Sequence, residues 1–193
     1  MHANLSQFNE EQIISDFFGD FVGHFVDVGA SSGVALSNTF ALGQKGWRGL
    51  LVEASPIHFQ NLVANYTHRG YFKLLLAALW YERKIMPFNL NPTWYSSLIH
   101  KDEPGLYAGQ YYVPTVIAED LKAIQPECDF LSVDIEGVDI HVFPSLMAAY
   151  PECRLVCVEH GNNATLREQW LEMFKRYGLS VLGETPENYL ANR

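Results

Sequence analysis

The sequence predicts an α/β fold: a mostly parallel sheet covered by helices on both faces. Short apolar runs rich in Val, Leu and Phe alternate with amphipathic stretches, the pattern of strands buried on both sides and linked by crossover helices. The length of 193 residues suits one substantial core. With 48% hydrophobic and 18% charged residues the composition is that of a chain that folds, and 1–193 reads as a single domain.

The elements follow in order. Ile13, Ile14, Phe17 and Phe18 repeat with helical spacing and predict a helix over Asn9 to Phe18, lying against the first strand. The strands predicted are "HFVDVG" from His24, "GLLVEA" from Gly49, "FKLLLAAL" from Phe72, "DFLSVDIEG" from Asp129, "RLVCVEHG" from Arg154 and "LSVLGET" from Leu179. Between them, helices are predicted over Ser32 to Leu42, Pro56 to Thr67, Ile117 to Ile124, Ile140 to Ala149 and Leu166 to Tyr177, the last stopped by Gly178. One segment breaks the alternation. From about 80 to 112 it carries Trp80, Tyr81, Phe88, Trp94, Tyr95, Tyr107, Tyr111 and Tyr112, interrupted by three prolines, and it reads as an insertion. Its aromatics suit a ligand pocket and the closed edge of a core equally.

A formal net charge of -9 shows no basic stripe of the kind that displaces counterions, so neither a nucleic-acid partner nor an anionic membrane surface is expected. No apolar stretch is long enough to span a bilayer, and the opening "MHANLSQFNEEQ" lacks a basic segment followed by an apolar run. Cys128, Cys153 and Cys157 have no CxxC spacing and read as reduced core thiols. Cys153 and Cys157, four residues apart on an extended chain, are separated by roughly 13 Å, too far to share one ion. A cytoplasmic location is the expectation.

"FVDVGASSG" places a carboxylate, Asp27, two residues ahead of a turn of small residues at the end of the first strand, where open α/β sheets bind ligands. Gly29 and Gly33 permit a tight turn, and Ala30, Ser31 and Ser32 keep it thin. A dinucleotide fingerprint would need a third glycine, where Ser31 stands, and Asp27 would repel a pyrophosphate with no Lys or Arg in the loop to offset it. A ligand without phosphate and with positive charge fits better, and S-adenosylmethionine, with its ammonium and sulfonium, meets both conditions. Glu53, ending the second strand 20 positions after Gly33, can accept hydrogen bonds from both ribose hydroxyls. Next to it, Ala54, and at the end of the third strand small Ala77, leave room along the cofactor.

A second cluster follows. "DFLSVDIEGVD" sets Asp134, Glu136 and Asp139 at one strand end, and "RLVCVEHGNN" sets Glu159, His160, Asn162 and Asn163 at the next. Glu136 and Asp139 also suit the first turn of a helix. Buried carboxylates are costly unless paired or used, so Asp134, Glu136 and His160 are the candidate catalytic groups, any of which could take a proton from an acceptor hydroxyl. A divalent ion such as Mg²⁺ is not expected, and its candidate ligands would be Asp134, Glu159 and Asn162.

Taken together, "FVDVGASSG", "VEASP", "LAAL", "SSL" at Ser96 to Leu98, "DFLSVDIEGVD", "CVEHG" and "ETPENYLANR" resemble the FkbM-like family of class I S-adenosylmethionine-dependent methyltransferases. The resemblance runs from His24 to the end of the chain. It implies a Rossmann-like, mostly parallel sheet with an antiparallel edge pair supplied by the segment after Leu179, and O-methylation of a small or carbohydrate-like acceptor. It places the cofactor on Asp27, Gly29, Gly33 and Glu53, and the acceptor near Ser97, Asp134, Glu136 and Glu159. The chain departs from the family pattern at Ser31, Ala54, Ser132 and Asp139, which stand where Asn, Pro, Lys and Glu are usual. Two rivals are weighed: an NAD-binding oxidoreductase, and a silent domain that binds S-adenosylmethionine or a partner without turnover. The sequence carries no marker of oligomeric state.

Overall fold

The computed structural model describes residues 6–67, 71–90, 96–98, 109–161 and 163–193. A seven-stranded sheet is built from β1 (His24–Val28), β2 (Arg48–Glu53), β3 (Phe72–Leu76), β7 (Phe130–Val133), β8 (Leu155–Glu159), β9 (Ser180–Glu184) and β10 (Asn188–Asn192). Its order is β3-β2-β1-β7-β8-β10-β9. The first five of these strands run parallel, while β10 is antiparallel to both β8 and β9. This is the mostly parallel sheet with an antiparallel edge pair that the sequence and its resemblance predict.

Both faces are covered because the central strands are apolar on both sides. Val26, Val28, Leu50, Val52, Leu131, Val133, Val156 and Val158 point to one face, where α4 (Ala118–Ile124), α5 (Asp139–Ala149) and α6 (Ala164–Tyr177) bury Leu121, Phe143, Trp170 and Phe174 against them. Phe25, Leu51, Phe130, Leu155 and Cys157 point to the other, under α1 (Glu10–Phe18), α2 (Phe40–Gln44) and α3 (Pro56–Tyr66). The helix ends follow local chemistry. Ser55 accepts from the His58 amide ahead of Pro56, Asn163 accepts from the Leu166 amide at 3.1 Å, and Gly178 takes the left-handed conformation that ends α6.

Two expectations are corrected. The helix expected over Ser32 to Leu42 forms only from Phe40, because Ser31, Gly33 and Leu36 adopt positive φ (49°, 71° and 59°) and no right-handed helix passes through them. The strand expected over Phe72 to Leu79 breaks at Ala77. Its second part, β4 (Ala78–Leu79), leaves the main sheet and pairs with β6 (Gly109–Val116), which in turn pairs antiparallel with β5 (Ile85–Leu90). This small three-stranded sheet occupies the aromatic segment. Its inner face buries Phe88 and Val113, Trp80 packs onto the core, and Tyr81 and Tyr112 are exposed. Phe88 and Trp80 thus pack as core aromatics. Trp94, Tyr95 and Tyr107 lie outside the described residues.

No helix of the described residues is long and apolar enough to cross a membrane. All three cysteines are buried and free.

Candidate active site

The carboxyl ends of β1, β2 and β7 open onto one cavity. The turn after β1 is fixed first by its backbone: the amides of Gly29 and Ala30 both donate to the carbonyl of Val52, at 2.9 and 3.0 Å. Gly29 has φ +90°, and a β-carbon there would meet the carbonyl oxygen of Asp134 at 1.7 Å, so only glycine lets β1 and the end of β7 approach this closely. Tyr66 from α3 donates to the Gly33 carbonyl at 2.7 Å, and Asn65 donates to that of Ser32 at 2.9 Å. The result is a thin wall held from outside.

Asp27, Gly29, Ala30 and Ser31 line the cavity, as do Glu53 and Ala54 at the end of β2 and Ala77 ahead of β4. Ser32 and Gly33 shape the turn from behind and do not line it. Asp27 is buried, with Oδ2 accepting from Thr39 Oγ1 at 2.6 Å and a further hydrogen bond from Ser132, its neighbour in register on β7. Burial pushes its pKa up to about 6 against those donors. Glu53 is also buried, and burial raises its pKa, but each of its oxygens accepts a main-chain amide: Oε2 from Ser31 at 2.7 Å and Oε1 from Ser55 at 2.6 Å. Those bonds aim the carboxylate across the mouth of the turn and leave its remaining lone pairs for hydroxyl donors.

Asp134 and Glu136 from the turn after β7 and Glu159 from the end of β8 reach the same cavity. Their carboxylate oxygens lie within 4.8 Å of one another, a set that could also hold a metal ion. Asp134 is pushed up to about 7 by burial first, then by the charges of Glu136 and Asp27, while a hydrogen bond with the Glu159 carboxyl works the other way. Glu136 sits at φ +61°, an unusual conformation for a non-glycine residue, and Ser97 Oγ donates to its carbonyl at 3.0 Å. Asp139 is placed differently. Its carboxylate folds back onto the amides of Ile135 at 2.9 Å and Gly137 at 3.1 Å, shaping the turn.

His160 is not brought into the cavity. Its side chain is fully buried with its ring 4.7 Å from that of Tyr189, and burial, then the charge of Arg167, lower its pKa. The alternation of β8 explains this, since Glu159 and His160 leave the strand on opposite sides. Asn162 lies outside the described residues. Missed from the sequence are Leu36, Ser37 and Asn38, which line the cavity because the expected helix is a loop there, together with His58 and Glu187, whereas Phe88 belongs to the aromatic segment already singled out. The polar run "SNT" within a supposedly amphipathic helix was the available signal.

A sheet of order β3-β2-β1-β7-β8-β10-β9 with a cleft at the carboxyl ends of its strands is the fold of class I methyltransferases. Residues 27–181 match the methyltransferase FkbM domain, and the chain belongs to that family. Solved structures agree on the fold. The methyltransferase FkbM from Methylobacillus flagellatus KT superposes with a TM-score of 0.62 at 15% identity, over 90% of this chain and 44% of that one. A Pyrococcus horikoshii protein provisionally assigned as an RNA methyltransferase gives 0.55 at 13% identity, over 96% of this chain and 83% of that one. Fibrillarin from Aeropyrum pernix, solved with natively bound S-adenosyl-L-methionine, gives 0.51 at 11% identity, over 87% and 65%. The chain spans less than half the length of the Methylobacillus protein. A comparison with curated proteins finds no match.

Proposed function

We propose that this domain transfers a methyl group from S-adenosylmethionine to a hydroxyl of a small or carbohydrate-like acceptor. The observation that carries the reading is the convergence of Asp27 and Glu53, from adjacent strand ends, on one cavity that also holds Asp134 and Glu136. The lining suits the cofactor. Among the described residues, the Ser31 hydroxyl is buried there without a hydrogen-bond partner, which a polar ligand would supply. Asp27 would hold the ammonium and Glu53 the ribose hydroxyls. Bound there, S-adenosylmethionine supplies an electrophilic methyl group on a positively charged sulfur.

Asp134 is the proton acceptor in this reading, because a carboxylate pushed up to about 7 can take a proton from a hydroxyl near neutral pH and Glu159 can share it. Glu136 orients the acceptor, and Ala54, Phe88 and Leu98 give it an apolar wall. The structural likeness to a protein assigned to RNA methylation leaves the acceptor class open at the level of fold. The lining favours a neutral acceptor: six carboxylates, Asp27, Glu53, Asp134, Glu136, Glu159 and Glu187, face the cavity, with no lysine or arginine among the described lining residues. A phosphate backbone would be repelled.

The test is release of S-adenosylhomocysteine from S-adenosylmethionine across a panel of polyhydroxyl acceptors and an RNA control. Turnover on a sugar or polyol, lost in Asp134→Asn with cofactor binding intact, is the expected result. Turnover on RNA alone would overturn the acceptor assignment.

A further inference from the structure

Thr39 is fully buried at the N-cap of α2. A threonine in that place ordinarily turns its oxygen to the free amides of its own helix. Thr39 makes no such bond, and its Oγ1 donates instead to Oδ2 of Asp27 at 2.6 Å. Ser37 takes over the end of the helix, its Oγ accepting from the amides of Thr39 at 3.2 Å and Phe40 at 3.1 Å. The Thr39 hydroxyl thus donates to the carboxylate, its oxygen lies 3.3 Å from Ser37 Oγ, from which it can accept, and the helix amides are capped by Ser37.

Asp27 needs that donor. Ser132 on β7 is its other hydroxyl partner, and Leu51 on β2 beside it offers no polar group. The titratable groups around it are Glu53 at the end of β2 and Asp134 beyond β7, both repelling its charge, and Cys157 of β8, whose own ionisation Asp27 opposes. Glu10 of α1 acts on Cys157 in the same sense, and His58 of α3 stands on the cavity wall. A buried carboxylate among like charges favours its neutral form, and a short hydrogen bond to the anion opposes that tendency.

We propose that Thr39 is a positioning residue for the methyl donor: its hydroxyl fixes the orientation of the Asp27 carboxylate and favours the ionised form that accepts the ligand's ammonium. The proposal rests on the S-adenosylmethionine reading. It predicts that removal of one hydroxyl, outside the cavity lining, shifts the pH dependence of cofactor binding.

The experiment is calorimetric titration of the full chain with S-adenosylhomocysteine, which carries the same amino-acid end, from about pH 5 to about pH 8. For the unaltered protein, affinity rises with pH as Asp27 ionises and then levels off. Thr39→Val moves that rise to higher pH, so that binding is roughly tenfold weaker near pH 6 and converges with the unaltered protein near pH 8. Thr39→Ser restores the original profile. A Thr39→Val profile of unchanged midpoint, whether at equal or uniformly lower affinity, overturns the proposal and leaves the cofactor reading standing. Absence of binding by the unaltered protein overturns both. If Thr39→Val does not fold, Thr39→Ala takes its place, and failure of both to fold assigns the bond to stability and overturns the proposal.

Discussion

Ser97 donates its hydroxyl to the main-chain carbonyl of Glu136 at 3.0 Å and so joins the aromatic segment to the acidic turn after β7. Ser97 is itself held by Asn89 of β5, the two residues exchanging main-chain hydrogen bonds at 2.9 and 3.1 Å while the Asn89 side chain donates to the Ser97 carbonyl at 3.2 Å. The small sheet is thereby linked to Glu136 through the Ser97 side chain. Replacing that side chain removes this hydrogen bond between them.

Ser97→Ala is expected to lower stability by about 1 kcal/mol, the usual worth of a single hydrogen bond, while leaving S-adenosylmethionine binding unchanged. Methyl transfer should fall roughly tenfold in kcat, because the backbone of Glu136, at φ +61°, loses the hydrogen bond from Ser97. Steady-state kinetics with a competent acceptor check this. An unchanged kcat would show that Glu136 keeps its place without Ser97.

Gly29→Ala is expected to be far more damaging. The added carbon would lie 1.7 Å from the Asp134 carbonyl at a φ of +90°, so β1 and β7 must part or the turn must rebuild. A loss of about 3 kcal/mol or more, or failure to fold, is the expected outcome in chemical denaturation. Gly137→Ala is the control, since φ is +94° there but nothing among the described residues lies within 4 Å of the added carbon. It should cost about 1–2 kcal/mol.

The main sheet was legible because Val, Leu and Phe run along both faces of its central strands, and Asp27, Glu53, Asp134 and Glu159 were legible because each carboxylate ends such a run. What failed was local. Ser31 and Leu36 adopt left-handed backbone that neither residue type announces, so the residue pattern predicts a helix where the chain forms a loop and does not show what Ser37, Asn38 and Thr39 contribute. The strands β5 and β6 carry Pro87 and Pro114, which obscure a strand pattern. His160 follows Glu159 directly, but successive residues of an extended chain face opposite ways, and its ring packs tilted against that of Tyr189.

The raised carboxyls give stability a definite dependence on pH. Asp27 is pushed up to about 6 and Asp134 and Asp139 to about 7, chiefly by burial. Between about pH 4 and pH 7 the folded chain holds protons that the unfolded chain, with ordinary carboxyls, has released. Stability contributed by these groups is fully present below the unfolded values and is lost as pH rises through the folded ones. The ligand-free protein should melt several degrees higher near pH 5.5 than near pH 8, with a smaller difference in Asp134→Asn. A melting temperature that rises with pH across this range would contradict the assignment.

Glu53→Ala is expected to weaken S-adenosylmethionine binding by about 1–3 kcal/mol, since hydroxyl donors lose their acceptor. The same change frees the amides of Ser31 and Ser55, so Glu53→Gln separates the effects by keeping one acceptor oxygen. Glu53→Gln should fall between the alanine variant and the unaltered protein in calorimetric affinity. Unchanged affinity in Glu53→Ala would remove Glu53 from the cofactor site.

The measurement that tests the central claim most directly is calorimetric titration of the full chain with S-adenosylmethionine, S-adenosylhomocysteine and NAD, each with and without Mg²⁺. Saturable binding of the two adenosyl ligands, one per chain and insensitive to Mg²⁺, with no heat from NAD, is the predicted result. Binding of NAD, or no binding of either adenosyl ligand, would contradict the account.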